Sequence, residues 1–149
     1  MACPYFYPTE RFAESAWPKH PRLPLGDPYS GFCRANPMRE RRPGQETLRE
    51  CCNVGRAGRR CSHFPKDSGP DANRFSVASD AAGVIRIFYV AEREHYSLDH
   101  GTIDFDTASG QFPDTNTGET LRKQARAYVE SYLRRKHEPE ERSRNPHRR

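Results

Sequence analysis

No stretch of this chain is apolar enough to cross a bilayer. The longest apolar run, "VIRIFYVA" from Val84 to Ala91, carries Arg86, and a membrane-spanning helix needs about 20 apolar residues. "MACPYFYPTERF" lacks the basic and then apolar pattern of a signal peptide, so a cytoplasmic protein is expected. Apolar residues are scarce as well. Only 34% of 149 residues are hydrophobic, which leaves a thin core and implies that something besides burial helps to hold the chain. There is neither a phosphate-cradling glycine loop nor a dinucleotide fingerprint; "GRAGRR" has glycines but no strand feeding it.

What is present is unevenly distributed. Ten of the thirteen prolines and all five cysteines lie between Met1 and Asn73. This partition predicts one domain over 1–136 built as two layers, 1–70 and 71–136, divided near "KDSGPD". In the first layer proline interrupts any helical period every few residues, so mostly loop is expected. Its one predicted helix covers Gln45 to Cys52, with Gly55 as a stop signal. The second layer alternates apolar and polar residues in "RFSVAS", "VIRIFYVAE" and "GTIDFDT", which predicts an antiparallel sheet of three to four strands. Asn116 and Glu119 have the spacing of a capping box. Beyond them Leu121, Ala125, Tyr128, Val129, Tyr132 and Leu133 form one apolar helical face that should cover the sheet. Residues 137–149 are charged and carry no large apolar group, which predicts a disordered tail. The expected class is α+β: a proline-rich metal-binding half, a short antiparallel sheet and one C-terminal helix.

The net charge is +5, and the stretch from Arg34 to Cys61 holds eight arginines against three glutamates. That basic stretch also contains most of the cysteines. In a reducing compartment, five thiols are expected as metal ligands or buried fillers rather than as disulfides. Cys3, Cys33, Cys61 and one of Cys51 and Cys52 are the candidate metal ligands, because successive residues on an α-helix point about 100° apart and should not both serve one site. Metal binding would supply the stability that proline-rich loops cannot find in apolar contacts. Four thiolates suit zinc or an iron–sulfur cluster. With Cys52 as the ligand, the intervals are 29, 18 and 8 residues. They contain no Cys-x2-4-Cys knuckle, which favours an iron–sulfur cluster, 4Fe-4S foremost, over zinc. Arg56, Arg59 and Arg60 would then bind beside the cluster and offset its negative charge.

"CPYFYP", "RLPLGDPYSGFC", "CNVGRAGRRC" followed by "FP", "DANRF", "HGTIDFD" and "YVESYLRRK" resemble the pattern of a family of small bacterial four-cysteine proteins with no assigned activity. In that pattern a single cysteine precedes Asn-x-Gly. The resemblance therefore implies Cys52, rather than Cys51, beside Cys3, Cys33 and Cys61, and it implies no reaction.

Other chemistry is less well supported. His95, Asp99 and His100 in "EREHYSLDHG" would form a second metal site or an acid–base pair only if they converged. His63 could stand in for one thiolate. No nucleophile signature surrounds Cys61. "YFYP" and Trp17 read as a hydrophobic lid over the cysteines. The expectation is a metal-binding protein with a redox, sensing or structural role in a larger assembly, with a protein partner and without membrane contact. The alternative is a zinc-stapled module that binds nucleic acid or a protein partner, its basic residues gripping phosphates and Phe32 and Phe64 stacking on bases.

Overall fold

The computed structural model describes residues 2–12, 23–36, 38–56, 60–66, 69–113 and 117–143, with side chains described to residue 137. The chain is mixed α and β. An antiparallel ribbon pairs β1 (Phe6–Arg11) with β2 (Tyr29–Cys33), and a three-stranded antiparallel sheet has the order β3 (Ala72–Ala81), β4 (Val84–Arg93), β5 (Tyr96–Asp106). A short helix α1 (Gln45–Thr47) opens into a π-turn over Leu48–Cys52, and the long helix α2 (Glu119–Ser143) closes the chain.

The sheet follows its period of two. Ile85, Ile87, Ile103 and Phe105 are buried on one face, with Ile87 opposite Ile103 and Ile85 opposite Phe105. Arg86 and Asp104 alternate to the other face and form an exposed ion pair of 2.8 Å. Ala82 and Gly83 both take positive φ, 55° and 78°, as the tight turn between β3 and β4 requires. α2 covers the buried face with Ala125 and Val129, and Tyr128 stacks on Phe75 at 5.8 Å. The helix is described to Ser143; residues 144–149 of the expected tail lie outside the described ones.

Among its described residues the first layer adds the β1–β2 ribbon to the expected helical segment. Pro8, which cannot donate to a ladder, sits where the β1–β2 register shifts, between Pro8 and Glu10, so the irregularity absorbs the missing donor. Opposite it, Gly31 brings the two backbones together: a Cβ there would lie 2.0 Å from the Tyr7 carbonyl oxygen. Buried polar side chains then tie the first layer together and join it to the second. Asn53 donates from Nδ2 to the carbonyls of Tyr29 and Leu48 and accepts from the Tyr29 N–H. Gln124, fully buried on α2, donates to the carbonyls of Cys3 and Phe6 at 2.8 and 2.7 Å and accepts from Asn73 at 3.1 Å. Ala2 and Asn73 exchange backbone hydrogen bonds of 2.8 and 2.7 Å, which places the start of the chain on the edge of β3.

Candidate metal centre

Each cysteine is positioned by backbone hydrogen bonds rather than by its sequence neighbours alone. Cys3 follows the bridge of Ala2 to β3, and its N–H donates to the Cys52 carbonyl at 3.0 Å. Cys33 ends β2 and exchanges hydrogen bonds of 2.7 and 3.2 Å with Arg41. Cys51 and Cys52 end the π-turn, where the Asn53 N–H reaches the Leu48 carbonyl five residues back. The Cys61 carbonyl accepts from the Phe64 N–H at 3.2 Å.

These elements bring all five thiols to one cavity. Its lining includes Cys3, Cys33, Cys51, Cys52 and Cys61 together with Tyr5, Phe6, Arg41, His63 and Phe64. Cys51 lines it beside Cys52, although α-helical spacing would set their side chains about 100° apart. The physical reason is the π-turn: closing a hydrogen bond to the fifth residue back widens the helix and lessens the angle between successive side chains. The cavity volume is about 20 Å³ and its exposed lining is apolar, so it offers no room for an organic substrate.

Burial governs the chemistry of the thiols. Loss of solvent, and then the nearness of Cys33, Cys61 and Cys51, pushes Cys3 up from its ordinary 9.0 to about 12. Desolvation and the same crowding raise Cys52 still further, and they raise Cys51 as well, against the opposing pull of Arg60. Thiols held protonated in this way are weak nucleophiles at neutral pH. A cation placed among them would reverse the balance, because a thiolate that coordinates a metal needs no solvent to carry its charge.

The surroundings differ in part from the sequence expectation. Arg60 is exposed and close enough to Cys51 to favour its ionised form. Arg59 lies outside the described residues, as does Trp17. Arg56 does not line the cavity: it adopts φ 55°, and its Nη2 lies 2.6 Å from the buried carboxylate of Glu92. That pairing offsets the charge of Glu92, 7% exposed, whose other oxygen Arg74 approaches at 3.0 Å. The arginine at the cavity is Arg41, whose Nη1 donates to His63 Nε2 at 2.6 Å. A guanidinium can only donate, so this contact fixes the ring proton of His63 on Nδ1. Arg41 had no signal in the sequence beyond being one arginine among several.

Of the lid residues, Tyr5 and Phe6 line the cavity, and Tyr5 meets Phe64 edge-on at 5.6 Å. His95, Asp99 and His100 do not converge into a site. All three are exposed, and His100 instead lies 6.1 Å from the Phe88 ring. Among the described residues no three or more His, Cys, Asp and Glu side chains are drawn together as the ligands of a metal ion. Among the described residues no helix is long and apolar enough to cross a membrane. No protein-family model, curated protein or solved structure matches the chain.

Proposed function

We propose that the protein holds an iron–sulfur cluster of the 4Fe-4S kind on Cys3, Cys33, Cys52 and Cys61, with a redox, sensing or structural role in a larger cytoplasmic assembly. The observation that carries this reading is the convergence on one apolar cavity of thiols that are far apart in the chain. Four soft donors among aromatic rings, with no room for an organic ligand, form a donor set suited to such a group. A single zinc ion would need its thiolate sulfurs about 2.3 Å from the metal and hence about 3.8 Å from one another. Among the described residues no three or more such side chains are gathered as the ligands of a metal ion. A cluster spreads its thiolates over several irons and so asks for a wider ring of sulfurs. Bound there, it would supply one-electron chemistry. The chain's own residues would supply the thiolates, an apolar wall that excludes water, and the charges of Arg41 and Arg60 on one side.

Cys52 is preferred to Cys51 as the fourth ligand. Its carbonyl is tied to the N–H of Cys3, and its thiol feels Cys3, Cys33 and Cys61 together. Cys51 feels chiefly Cys61 and Arg60. The small volume favours a more compact occupant, and this supports the second reading, one zinc ion stapling a module that binds a protein partner or nucleic acid.

Iron, zinc and acid-labile sulfide per chain, measured on protein purified without oxygen, test the choice. The cluster reading expects a brown protein with matched iron and sulfide, lost in Cys52→Ser and kept in Cys51→Ser. One zinc and no colour would establish the second reading. If all four single Cys→Ser variants at 3, 33, 52 and 61 keep wild-type metal, both readings fail.

A further inference from the structure

A second concavity lies away from the thiols, between the first two turns of α2, Gln111 and Phe112 beyond β5, and Tyr7 of β1. It has a volume of about 370 Å³, within the ~300–1,000 Å³ range of small-molecule sites. Arg122, Lys123 and Arg126 of α2 line it, facing Tyr7, Gln111 and Phe112. The single carboxylate in the lining, Glu119, lies 3.3 Å from Arg34, a further cation at its rim.

The way these cations are held bears on what the cleft would accept. All three are partly withdrawn from water, yet among the described residues none of them forms a salt bridge. Aromatic rings support two of them instead. Lys123 Nζ lies 5.7 Å from the Tyr7 ring, and the Arg126 guanidinium lies 5.3 Å from Phe112 and 5.9 Å from Phe105. Arg126 Nη1 also donates to the Gly110 carbonyl at 3.0 Å, which fixes its direction. A ring steadies a cation without neutralising it, so these side chains keep their charge and most of their donors for another group. Arginine forks match the oxygens of phosphate. The positive end of α2 adds to the same field, and the Tyr7 ring, over which the Arg34 guanidinium lies at 3.9 Å, forms one wall.

We infer that this cleft binds a phosphate-bearing ligand of nucleotide size, held by Arg122, Lys123 and Arg126. The inference is independent of what occupies the thiol cavity. Titration calorimetry on the full chain at low salt, with inorganic phosphate, adenosine, adenosine triphosphate and a short oligoadenylate as probes, tests it. The triphosphate should bind where adenosine does not. Arg122→Ala and Lys123→Ala should each weaken binding about tenfold, the loss expected for one charge-assisted contact, while Arg122→Lys retains most of it and circular dichroism stays unchanged. If the oligoadenylate binds more tightly than the triphosphate and the same variants weaken it, the phosphate comes from a nucleic-acid strand. If it binds no more tightly, the source is a free nucleotide. The inference is overturned if no phosphate probe binds at about 1 mM, or if the Arg122 and Lys123 variants bind as the wild type does.

Discussion

Replacing Gln124 by leucine is the sharpest test of how the two layers are joined. The side chain is fully buried and makes three hydrogen bonds, two donated to the carbonyls of Cys3 and Phe6 and one accepted from Asn73. Leucine keeps most of the volume and removes all three. The Cys3 carbonyl still accepts from the Phe6 N–H at 3.0 Å, so its loss is partial. The Asn73 amide, itself buried, loses its acceptor, and an orphaned buried donor costs ~1–3 kcal/mol, with ~0.5–1.5 kcal/mol more for each of the other bonds. The total expected is about 3 kcal/mol out of a stability of ~5–15 kcal/mol. At ~2–4 °C per kcal/mol for a chain of this size, the thermal midpoint should fall by roughly 10 °C. Urea unfolding followed by circular dichroism measures it. Gln124→Glu sharpens the result by setting a carboxylate against two carbonyl oxygens. It should be worse than leucine near pH 7 and recover as the carboxylate is protonated in acid, because a folded pKa raised above ~4.3 favours the fold only below that value. A loss under about 1 kcal/mol for leucine would refute the idea that this residue joins the layers.

The thiols give a pH dependence. Cys3 rises from 9.0 to about 12 and Cys52 rises too, so the folded state holds these protons more tightly than the unfolded one. In metal-free protein the associated stability is complete below pH 9 and is lost as pH climbs toward 12. The urea midpoint should be level from pH 7 to 9 and then fall, and Cys3→Ser should flatten the first part of that fall; a level profile to pH 11 would contradict the burial of these thiols. Metal loading should strengthen with pH over the neutral range, since coordination releases thiol protons, which a competitive chelator titration would follow. Glu92→Ala should cost about 2–4 kcal/mol, because Arg56 and Arg74, at 2.6 and 3.0 Å, lose their shared carboxylate. Metal content per folded chain should stay unchanged, which separates this ion-pair network from the thiol cavity.

Local chemistry made much of this legible. The alternation in "RFSVAS", "VIRIFYVAE" and "GTIDFDT" gave strands because a half-buried sheet has a period of two, and these became β3, β4 and β5, with β5 starting earlier, at Tyr96. The apolar stripe from Leu121 to Leu133 became the buried face of α2, and the break at Gly55 followed the helical segment near Gln45. The β1–β2 ribbon was not legible, since proline in a run argues against a strand unless its missing donor falls at an irregularity. Only pairing revealed that Pro8 does so.

The sequence by itself determined which elements the second layer would form and that five thiols sit in the proline-rich first layer, because those depend on residue type and short-range spacing. The tertiary structure decided what those thiols face. Cys51 and Cys52 line one cavity because a π-turn, not an α-turn, precedes Asn53; Arg56 turns to Glu92 and Arg41 takes the place beside His63. Such outcomes depend on which buried charge or carbonyl must find a partner, and those partners lie tens of residues away in the chain.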